Sequence, residues 1–138
     1  MPRVRVTRRV HFAAAHRLGL AGWSDERNAA VFGDCSNPNW HGHNYELDVT
    51  VDGEVDGETG FVLDLKDLKA LVEERVLADL DHRNLNLDVA WLEGQNPTTE
   101  NLVVAIWERL APAVPAGVEL ERLVLWETPR NYVEYAGR

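Results

Sequence analysis

Two stretches of sequence, VRVTRRVHF at residues 4–12 and YELDVTV at residues 45–51, alternate apolar and polar side chains. Alternation with a period of two is typical of a β-strand that has one buried and one wet face. Arg8 is the one polar break in the apolar face of the first stretch. The segment between the strands, residues 17–40, is rich in Gly, Asn, Ser, Asp and Pro and too long for a tight hairpin, so we interpret it as a functional loop.

Two amphipathic helices are predicted in the middle of the chain. The first covers residues 64–79, with Asp64 as its N-cap and apolar residues at helical spacing. The second covers residues 98–110, with Thr98 as its N-cap, and two prolines and a glycine end it. Both helices therefore have one apolar face available to cover a sheet.

Two more strands are predicted after the second helix, at residues 119–127 and 131–136. The order ββααββ predicts an α+β fold, an antiparallel sheet with two helices on one face. The length of 138 residues fits a single domain over residues 1–138. A small sheet with exposed edges and one wet face usually needs partners, so we expect oligomerisation.

The composition excludes several classes of partner. Fourteen Lys and Arg against 23 Asp and Glu give a net charge of −9, which repels nucleic acid and acidic membrane surfaces. No apolar run approaches the roughly 20 residues needed to span a bilayer, and the N-terminal segment lacks the features of a secretory signal. We therefore predict a cytoplasmic protein with neither a nucleic-acid partner nor a membrane.

Four of the five histidines lie in or next to the first two strands. His41 and His43 are two residues apart, so in extended chain they point to the same side. If the two strands pair, His16 at the end of the first joins them, whereas His11 lies within the strand itself. Three imidazoles with a fourth position open are typical of catalytic zinc, although neighbouring divalent ions also bind imidazole.

Cys35 is the only cysteine and lies six residues before His41. As a fourth ligand it would close a structural site. As a thiol held near the metal it would have a lowered pKa and act as a base or nucleophile. An inert buried cysteine is the third interpretation, which the polar loop around Cys35 disfavours.

Two other places carry candidate functional groups. Asp81 next to His82 is a pair that can poise an imidazole for proton transfer, or else a turn-forming Asp beside a surface His. Glu127, at the end of the third predicted strand, is placed to accept two hydrogen bonds from a guanidine-like ligand edge. Alone, it would be an ordinary surface carboxylate.

Several motifs, in order along nearly the whole chain, resemble those of the 6-pyruvoyl-tetrahydropterin synthases. These are tunnelling-fold pterin enzymes, a group that includes the 6-carboxytetrahydropterin synthases of queuosine and 7-deazaguanine biosynthesis. The most specific are FAAAHRL at residues 12–18 and CSNPNWHGHNY at residues 35–45. The other matching segments are residues 24–26, 32–33, 60–68, 80–85, 97–101 and 127–128.

The resemblance implies roles for the metal and thiol residues. It implies one zinc ion per subunit on His16, His41 and His43. It implies that Cys35 is a proton-transferring thiol rather than a ligand. Trp40 departs from the family pattern, which has a small residue immediately before this histidine, so we expect it to reshape the metal loop or pack against a neighbouring subunit.

The resemblance also implies the remaining site residues. The family's Asp-His pair corresponds to Asp81 and His82, and its pterin-anchoring glutamate to Glu127. Thr99 and Glu100 match positions that line the pterin pocket in relatives.

The implied reaction is that of a triphosphate-eliminating carbon-oxygen lyase. It converts 7,8-dihydroneopterin triphosphate to 6-pyruvoyl-tetrahydropterin, in trimers that assemble into hexamers with active sites between subunits. Arg17 and Lys66 are candidates for binding the triphosphate. The five residues between Cys35 and His41 and the eighteen between His16 and Cys35 look like the 6-pyruvoyl type.

Three alternatives stay open. The nearest is a 6-carboxytetrahydropterin synthase, which uses the same substrate and also releases acetaldehyde. Another is aldolase-like cleavage of unphosphorylated dihydroneopterin, which the presence of Cys35 disfavours because that branch of the family lacks the thiol. The last is a non-catalytic pterin-binding or structural zinc module, which predicts a closed site that includes Cys35.

Overall fold

A computed structural model of the chain describes residues 2–138, which contain one five-stranded sheet. The strands are β1 (Arg3–His16), β2 (His41–Glu54), β3 (Arg83–Asn84), β4 (Val118–Thr128) and β5 (Asn131–Tyr135). Their order in the sheet is β3-β1-β2-β4-β5. Neighbouring strands are antiparallel except β3, a two-residue strand parallel to β1 that the sequence did not predict.

The pairing of β1 with β2 runs the full length of both strands, from Arg3 opposite Glu54 to His16 opposite His41. Both strands are longer than the alternation predicts, because the small residues and histidines at their ends also adopt extended backbone. Phe12 stacks on Tyr45 beneath the helices, and both side chains are buried. On the opposite, wet face, arginines pair with acids across strands, so that polar surface is neutralised locally.

The helices are α1 (Asp25–Phe32), α2 (Leu65–Val72), α3 (Ala78–Leu80) and α4 (Thr99–Leu110). The two predicted N-caps are confirmed, since the Asp64 side chain accepts from the backbone N–H of Lys66 and the Thr98 side chain from that of Asn101. A π-turn over Glu73–Leu77 joins α2 to α3, so the first predicted helix is one rod with a wide turn inside it. Apolar side chains of α2 and α4 form the core with the inner face of the sheet.

The interpretation of residues 17–40 as loop is wrong for its middle. This segment contains α1 and a 3₁₀ turn over Gly33–Ser36. Ser24 caps α1 by accepting from the backbone N–H of Arg27, and two acids lie at its positive end. The helix has no apolar stripe, because Asn28 is its only buried residue, and hydrophobic periodicity therefore does not reveal it. The α+β class, with helices on one face of a mainly antiparallel sheet, is confirmed.

Over residues 2–138, the longest apolar helix falls short of what a membrane crossing requires.

Candidate active site

Three histidines meet where β1 ends and β2 begins. His16 is opposite His41 in the register, and Ala14 is opposite His43, so all three side chains lie on the inner face of the sheet. Their candidate ligand nitrogens lie within 4.8 Å of one another. The alternation of the strands therefore places His16 with the His41 and His43 pair as the sequence predicted, and exposed His11 lies outside the cluster.

The hydrogen bonds of His16 fix which of its nitrogens can bind a ligand. Its Nδ1 lies 2.8 Å from the carbonyl oxygen of Pro97, so Nδ1 donates and Nε2 keeps a free lone pair. Burial lowers the pKa of His16, and burial likewise lowers the pKa of His43. Both imidazoles are therefore held in the neutral form that binds metals.

Unsatisfied nitrogens provide the test of whether a metal ion fits. Within the described part of the chain, Nε2 of His16, Nε2 of His43 and both ring nitrogens of His41 are buried without a hydrogen-bond partner. Buried polar atoms without a partner are uncommon, and a cluster of them indicates a place where a ligand or ion binds. An ion held by the three histidines would satisfy one of these nitrogens on each ring, three of the four.

Tyr45 is a buried, uncharged side chain next to the three histidines. Its side chain is fully buried, and its hydroxyl lies 3.5 Å from Nδ1 of His16. Burial, together with the negative charge of Glu127, raises the pKa of Tyr45 well above its usual range. The phenol therefore adds no charge to the site.

Glu127 connects the histidines to a cavity. Its Oε1 lies 3.8 Å from Nε2 of His43, and its Oε2 accepts a short hydrogen bond from the hydroxyl of Thr99. The register between β4 and β5 shifts between Trp126 and Thr128, a bulge at Glu127. Bulges of this kind re-aim a side chain at the end of a strand.

The cavity beside Glu127 has a volume of about 340 Å³. It is lined by Leu18, Phe32, Thr98, Thr99, Glu100, Glu127, Asn131, Tyr132 and Val133. Three predicted substrate-binding residues, Thr99, Glu100 and Glu127, therefore line one space. Phe32 and Tyr132 were not among the predicted site residues, although residues 32–33 match the family motifs and residues 131–136 form the last predicted strand.

Cys35 lies in the 3₁₀ turn, half-buried and outside the three-histidine cluster. Its carbonyl oxygen accepts from the backbone N–H of Leu18 at 2.8 Å, which ties the turn to the segment that follows β1. Burial raises the pKa of the Cys35 thiol, and the carboxylates of Glu127 and Asp34 raise it further. In the absence of a bound cation, these surroundings therefore favour the protonated thiol of Cys35 over the thiolate.

Asp81 and His82 form a pair in contact, with Asp81 Oδ1 3.0 Å from His82 Nδ1. The same oxygen accepts from the backbone N–H of Ala13 at 2.9 Å, and this bond, followed by the contact with His82, lowers the pKa of Asp81. The backbone N–H of His82 in turn donates to the carbonyl oxygen of Ala13 at 2.6 Å. Two backbone bonds to β1 therefore anchor the pair.

The surroundings of His82 differ from those of the other site residues. Its side chain is 83% exposed and lies at an open groove of about 630 Å³. This groove shares no lining residue with the Glu127 cavity. One chain therefore brings together the three histidines, Glu127 and Thr99, but it does not bring His82 into the same cavity.

The two triphosphate candidates lie apart from these cavities as well. Nε of Arg17 donates to the carbonyl oxygen of Ser36 at 2.9 Å, and the residue lines a smaller cavity with Trp23 and Trp40. Lys66 is an exposed residue of α2. Neither residue lines the Glu127 cavity.

Comparison with known proteins identifies the family. Residues 5–138 match the family model described as 6-pyruvoyl tetrahydropterin synthase. The chain belongs to the 6-pyruvoyl tetrahydropterin synthase family. It is 49% identical over 133 residues to the 6-pyruvoyl tetrahydrobiopterin synthase of Pongo abelii, an alignment that covers 96% of this chain and 91% of that protein.

The chain is also similar to a solved structure of the family and to an enzyme that is named for a different reaction. The solved structure of Caenorhabditis elegans 6-pyruvoyl tetrahydropterin synthase superposes with a TM-score of 0.92 at 40% identity, covering 100% of this chain and 98% of that one. The dihydroneopterin monophosphate aldolase of Pyrococcus furiosus is 37% identical, over 91% of this chain and 90% of that protein. Family membership therefore makes the chain an enzyme that acts on a pterin substrate, and the relatives differ in the reaction that they are named for.

Proposed function

We propose that this chain is the subunit of a zinc-dependent 6-pyruvoyl-tetrahydropterin synthase. It converts 7,8-dihydroneopterin triphosphate to 6-pyruvoyl-tetrahydropterin with elimination of triphosphate, which makes it a carbon-oxygen lyase. The observation that carries the proposal is the set of buried, unpartnered histidine nitrogens, one of which lies 3.8 Å from the carboxylate of the adjoining cavity. The names of relatives at 40% identity and above support the same reaction.

His16, through Nε2, and the imidazoles of His41 and His43 are the residues that would hold the ion. When bound there, zinc would supply Lewis-acid stabilisation of the negative charge that develops on the oxygens of the substrate side chain. The carbonyl oxygen of Pro97 holds the His16 ring in the tautomer that leaves Nε2 free. Zinc is the natural choice because three neutral imidazoles with an open position are its usual catalytic set.

Glu127 orients the pterin ring. Its carboxylate accepts two hydrogen bonds from the ring N–H and the exocyclic amino group of the aminopyrimidine edge. The hydroxyl of Thr99 already donates to Oε2 and so fixes the rotation of the carboxylate. Holding the ring edge in this way fixes the orientation of the substrate in the cavity next to the histidines.

Cys35 and His82 move protons. Cys35 would act as the thiolate, the form that a bound cation nearby favours, and its Sγ would take the proton from the side-chain carbon next to the reacting oxygens. Nε2 of His82 serves a second proton transfer while Asp81 holds Nδ1. Elimination of triphosphate follows these transfers. Arg17 is the better of the two triphosphate candidates, because it directly follows His16 in the sequence and lines a cavity. Lys66, by contrast, is an exposed residue of α2.

The separation of His82 from the Glu127 cavity supports assembly. We propose a homohexamer, a dimer of trimers, in which the Asp81–His82 pair of one subunit completes the site of its neighbour. In the single chain His82 is largely exposed, whereas proton-transfer groups work best where water is excluded. A neighbouring subunit seated on the groove would supply that exclusion.

A second candidate function has a specific observation behind it, the 37% identity to a dihydroneopterin monophosphate aldolase. An aldolase would cleave the substrate side chain and leave a hydroxymethyl group on the pterin ring. The half-buried thiol of Cys35 beside the site favours the synthase. The 6-carboxytetrahydropterin synthase reaction stays a further alternative, since it uses the same groups.

The deciding experiment is anaerobic incubation of the zinc-loaded protein with 7,8-dihydroneopterin triphosphate and, separately, with the monophosphate. Triphosphate release without an aldehyde, together with a 6-pyruvoyl product mass, is the expected result. Acetaldehyde with a 6-carboxy mass would identify the carboxy enzyme. A 6-hydroxymethyl product with a two-carbon aldehyde from the monophosphate would identify the aldolase, and no turnover of either substrate would leave a binding module.

A further inference from the structure

The helical rod that leads into the Asp81–His82 pair contains a π-turn just before its end. The rod runs from α2 through the π-turn over Glu73–Leu77 into α3, and the backbone N–H of Ala78 donates to the carbonyl oxygen of Glu73, five residues back. A π-turn contains one residue more than an α-turn, so it rotates everything that follows by about 100° around the helix axis. The π-turn therefore sets the direction in which Asp81 and His82 leave the rod.

One side chain from another helix spans this turn. Arg109, in the last turn of α4, donates from Nε to the carbonyl oxygen of Arg75 at 3.2 Å and from Nη2 to Oδ2 of Asp79 at 3.3 Å. Arg75 lies inside the π-turn, and Asp79 lies beyond it in α3. Because a guanidinium presents its donors in a rigid planar fork, these two contacts fix the position of α3 relative to the turn.

A third segment of the chain joins the same contact. Nε1 of Trp91, in the 3₁₀ turn over Ala90–Leu92, donates to Oδ2 of Asp79 at 2.9 Å. The guanidinium carbon of Arg109 lies 5.4 Å from the ring centroid of Trp91, within the range of cation–π attraction. The three side chains of Asp79, Trp91 and Arg109, which we name the α3 brace, thus join the end of the rod to α4 and to the segment that follows β3.

The chain changes direction directly after the α3 brace. His82 has a left-handed backbone with φ 61°, a conformation that a residue other than glycine keeps only where the surrounding structure holds it. On one side, the backbone N–H of His82 donates to the carbonyl oxygen of Ala13 in β1. On the other side, Asp79 of the brace lies two residues before Asp81. The Asp81–His82 pair is therefore held between β1 and the brace.

We propose that Arg109 is a positioning residue for the proton transfer by His82. It holds the π-turn and α3, through Arg75 and Asp79, in the arrangement that directs the Asp81–His82 pair. The side chains of Arg109 and Asp79 are 34% and 43% exposed, and ion pairs this exposed contribute little to global stability. The inference rests on the proposed function, in which His82 transfers a proton, and adds a residue outside the histidine cluster and outside the Glu127 cavity.

Steady-state kinetics of the zinc-loaded enzyme with 7,8-dihydroneopterin triphosphate give the first test. Arg109→Met removes both hydrogen bonds and should lower kcat about tenfold with KM nearly unchanged, because the pair moves protons and does not bind the ring. Asp79→Ala removes the same contact from the side of the rod and should give the same loss. Lys69→Met is the matched control, since it removes an ion pair with Glu73 on the same rod that does not reach α3, and it should leave kcat unchanged.

The double variant Arg109→Met/His82→Asn distinguishes positioning from a general structural role. If Arg109 acts through His82, its removal costs nothing further once the imidazole is gone, so the double variant should have the kcat of His82→Asn. Multiplication of the two losses would show that Arg109 acts elsewhere and would overturn the inference. An unchanged kcat in both Arg109→Met and Asp79→Ala would overturn it as well.

Hydrogen exchange of the His82 backbone N–H tests the positioning without turnover. In Arg109→Met this N–H should exchange about fivefold faster, the order expected for one lost hydrogen bond, as measured by mass spectrometry of the peptide that spans residues 78–85. Exchange within the β1–β2 pairing and the urea midpoint of unfolding should stay as in the parent enzyme, which shows that the loosening is local. Unchanged exchange at His82 overturns the inference while the proposed function stands.

The single variant His82→Asn separates the inference from the proposed function. If His82→Asn loses turnover and Arg109→Met does not, only the inference falls. If His82→Asn turns over the substrate at the full rate, His82 does not transfer the proton, and the proposed role of the Asp81–His82 pair falls together with the inference. A loss in both single variants, without a further loss in the double variant, supports the inference.

Discussion

The histidines of this chain occupy two contrasting environments. His16 is fully buried and, with His41 and His43, presents ring nitrogens that lack partners in the described residues. His82 is 83% exposed, and its Nδ1 contacts the carboxylate of Asp81. The imidazole side chain is therefore buried with at least one ring nitrogen lacking a partner in the first region, and exposed with a carboxylate partner in the second.

The difference teaches which chemistry each region can perform. A buried nitrogen left without a partner costs about 1–3 kcal/mol, a cost that an ion bound between the three rings would remove for one nitrogen of each ring. An imidazole oriented by a carboxylate and open to solvent exchanges protons readily but excludes no water. The first region therefore has, within one chain, the three imidazoles that could hold a metal ion, whereas the second would need a covering surface to exclude water.

Removing one ligand is the strongest way to break this comparison. His43→Ala should abolish stoichiometric zinc and lower kcat/KM about ten-thousandfold, since several kcal/mol of charge stabilisation are lost. Metal analysis after dialysis and steady-state kinetics measure the two effects. His11→Ala is the matched control, an exposed histidine of β1 outside the cluster that should keep its zinc. Full zinc content in His43→Ala would contradict the three-histidine site.

Replacing the thiol of Cys35 distinguishes a role as metal ligand from a role as general base. Cys35→Ala should keep one zinc ion per subunit and lower kcat about a thousandfold, within the range for loss of a general base. Zinc stays because Cys35 lies outside the histidine cluster. A sharp fall in zinc content would instead indicate a closed structural site, and with it a non-catalytic module.

The exposed histidine tests whether the second region works across subunits. His82→Asn should lower kcat about a hundredfold and keep the fold, because asparagine tolerates the left-handed backbone (φ 61°) of this position. Co-assembly of Cys35→Ala subunits with His82→Asn subunits should then recover activity that neither variant has alone. Lack of recovery in mixed oligomers would place both groups in the same subunit's site.

Much of the buried region was predictable from the sequence, and the reason is the period of two in a strand. Alternation fixes the side on which His41 and His43 lie, and antiparallel pairing then requires the end of β1 to be beside them. No tertiary knowledge beyond that pairing was needed. The caps at Asp64 and Thr98 were equally local, since each depends on a backbone N–H two or three residues away.

The parts that were missed depend on contacts between distant segments. α1 has no apolar stripe, so only its Ser24 cap and first-turn acids marked it. Phe32 and Tyr132 share a cavity because α1 and β5 both lie beside Glu127, a proximity that no local pattern encodes. The separation of His82 from that cavity is likewise a property of the folded sheet.

The smallest expected effect is on the free energy of unfolding and concerns the left-handed backbone found in both regions. Among the described residues, the only non-glycine positions with positive φ are Trp40 (67°), directly before His41, and His82 (61°). Trp40→Gly and Trp40→Ala both remove the indole, and only glycine adopts this conformation without a clash. The clash costs about 1–2 kcal/mol and the extra chain entropy of glycine offsets roughly 0.5–1 kcal/mol.

Trp40→Gly should therefore exceed Trp40→Ala in free energy of unfolding by about 0.5 kcal/mol, measured by urea denaturation at equal zinc loading. Ala30, an exposed residue inside α1, is the control, because glycine there should instead be less stable by about 0.5–1 kcal/mol. The opposite signs at the two positions would show that the loop holds strain immediately before His41, a candidate metal ligand. If glycine is the less stable residue at both positions, the backbone directly before His41 is not strained.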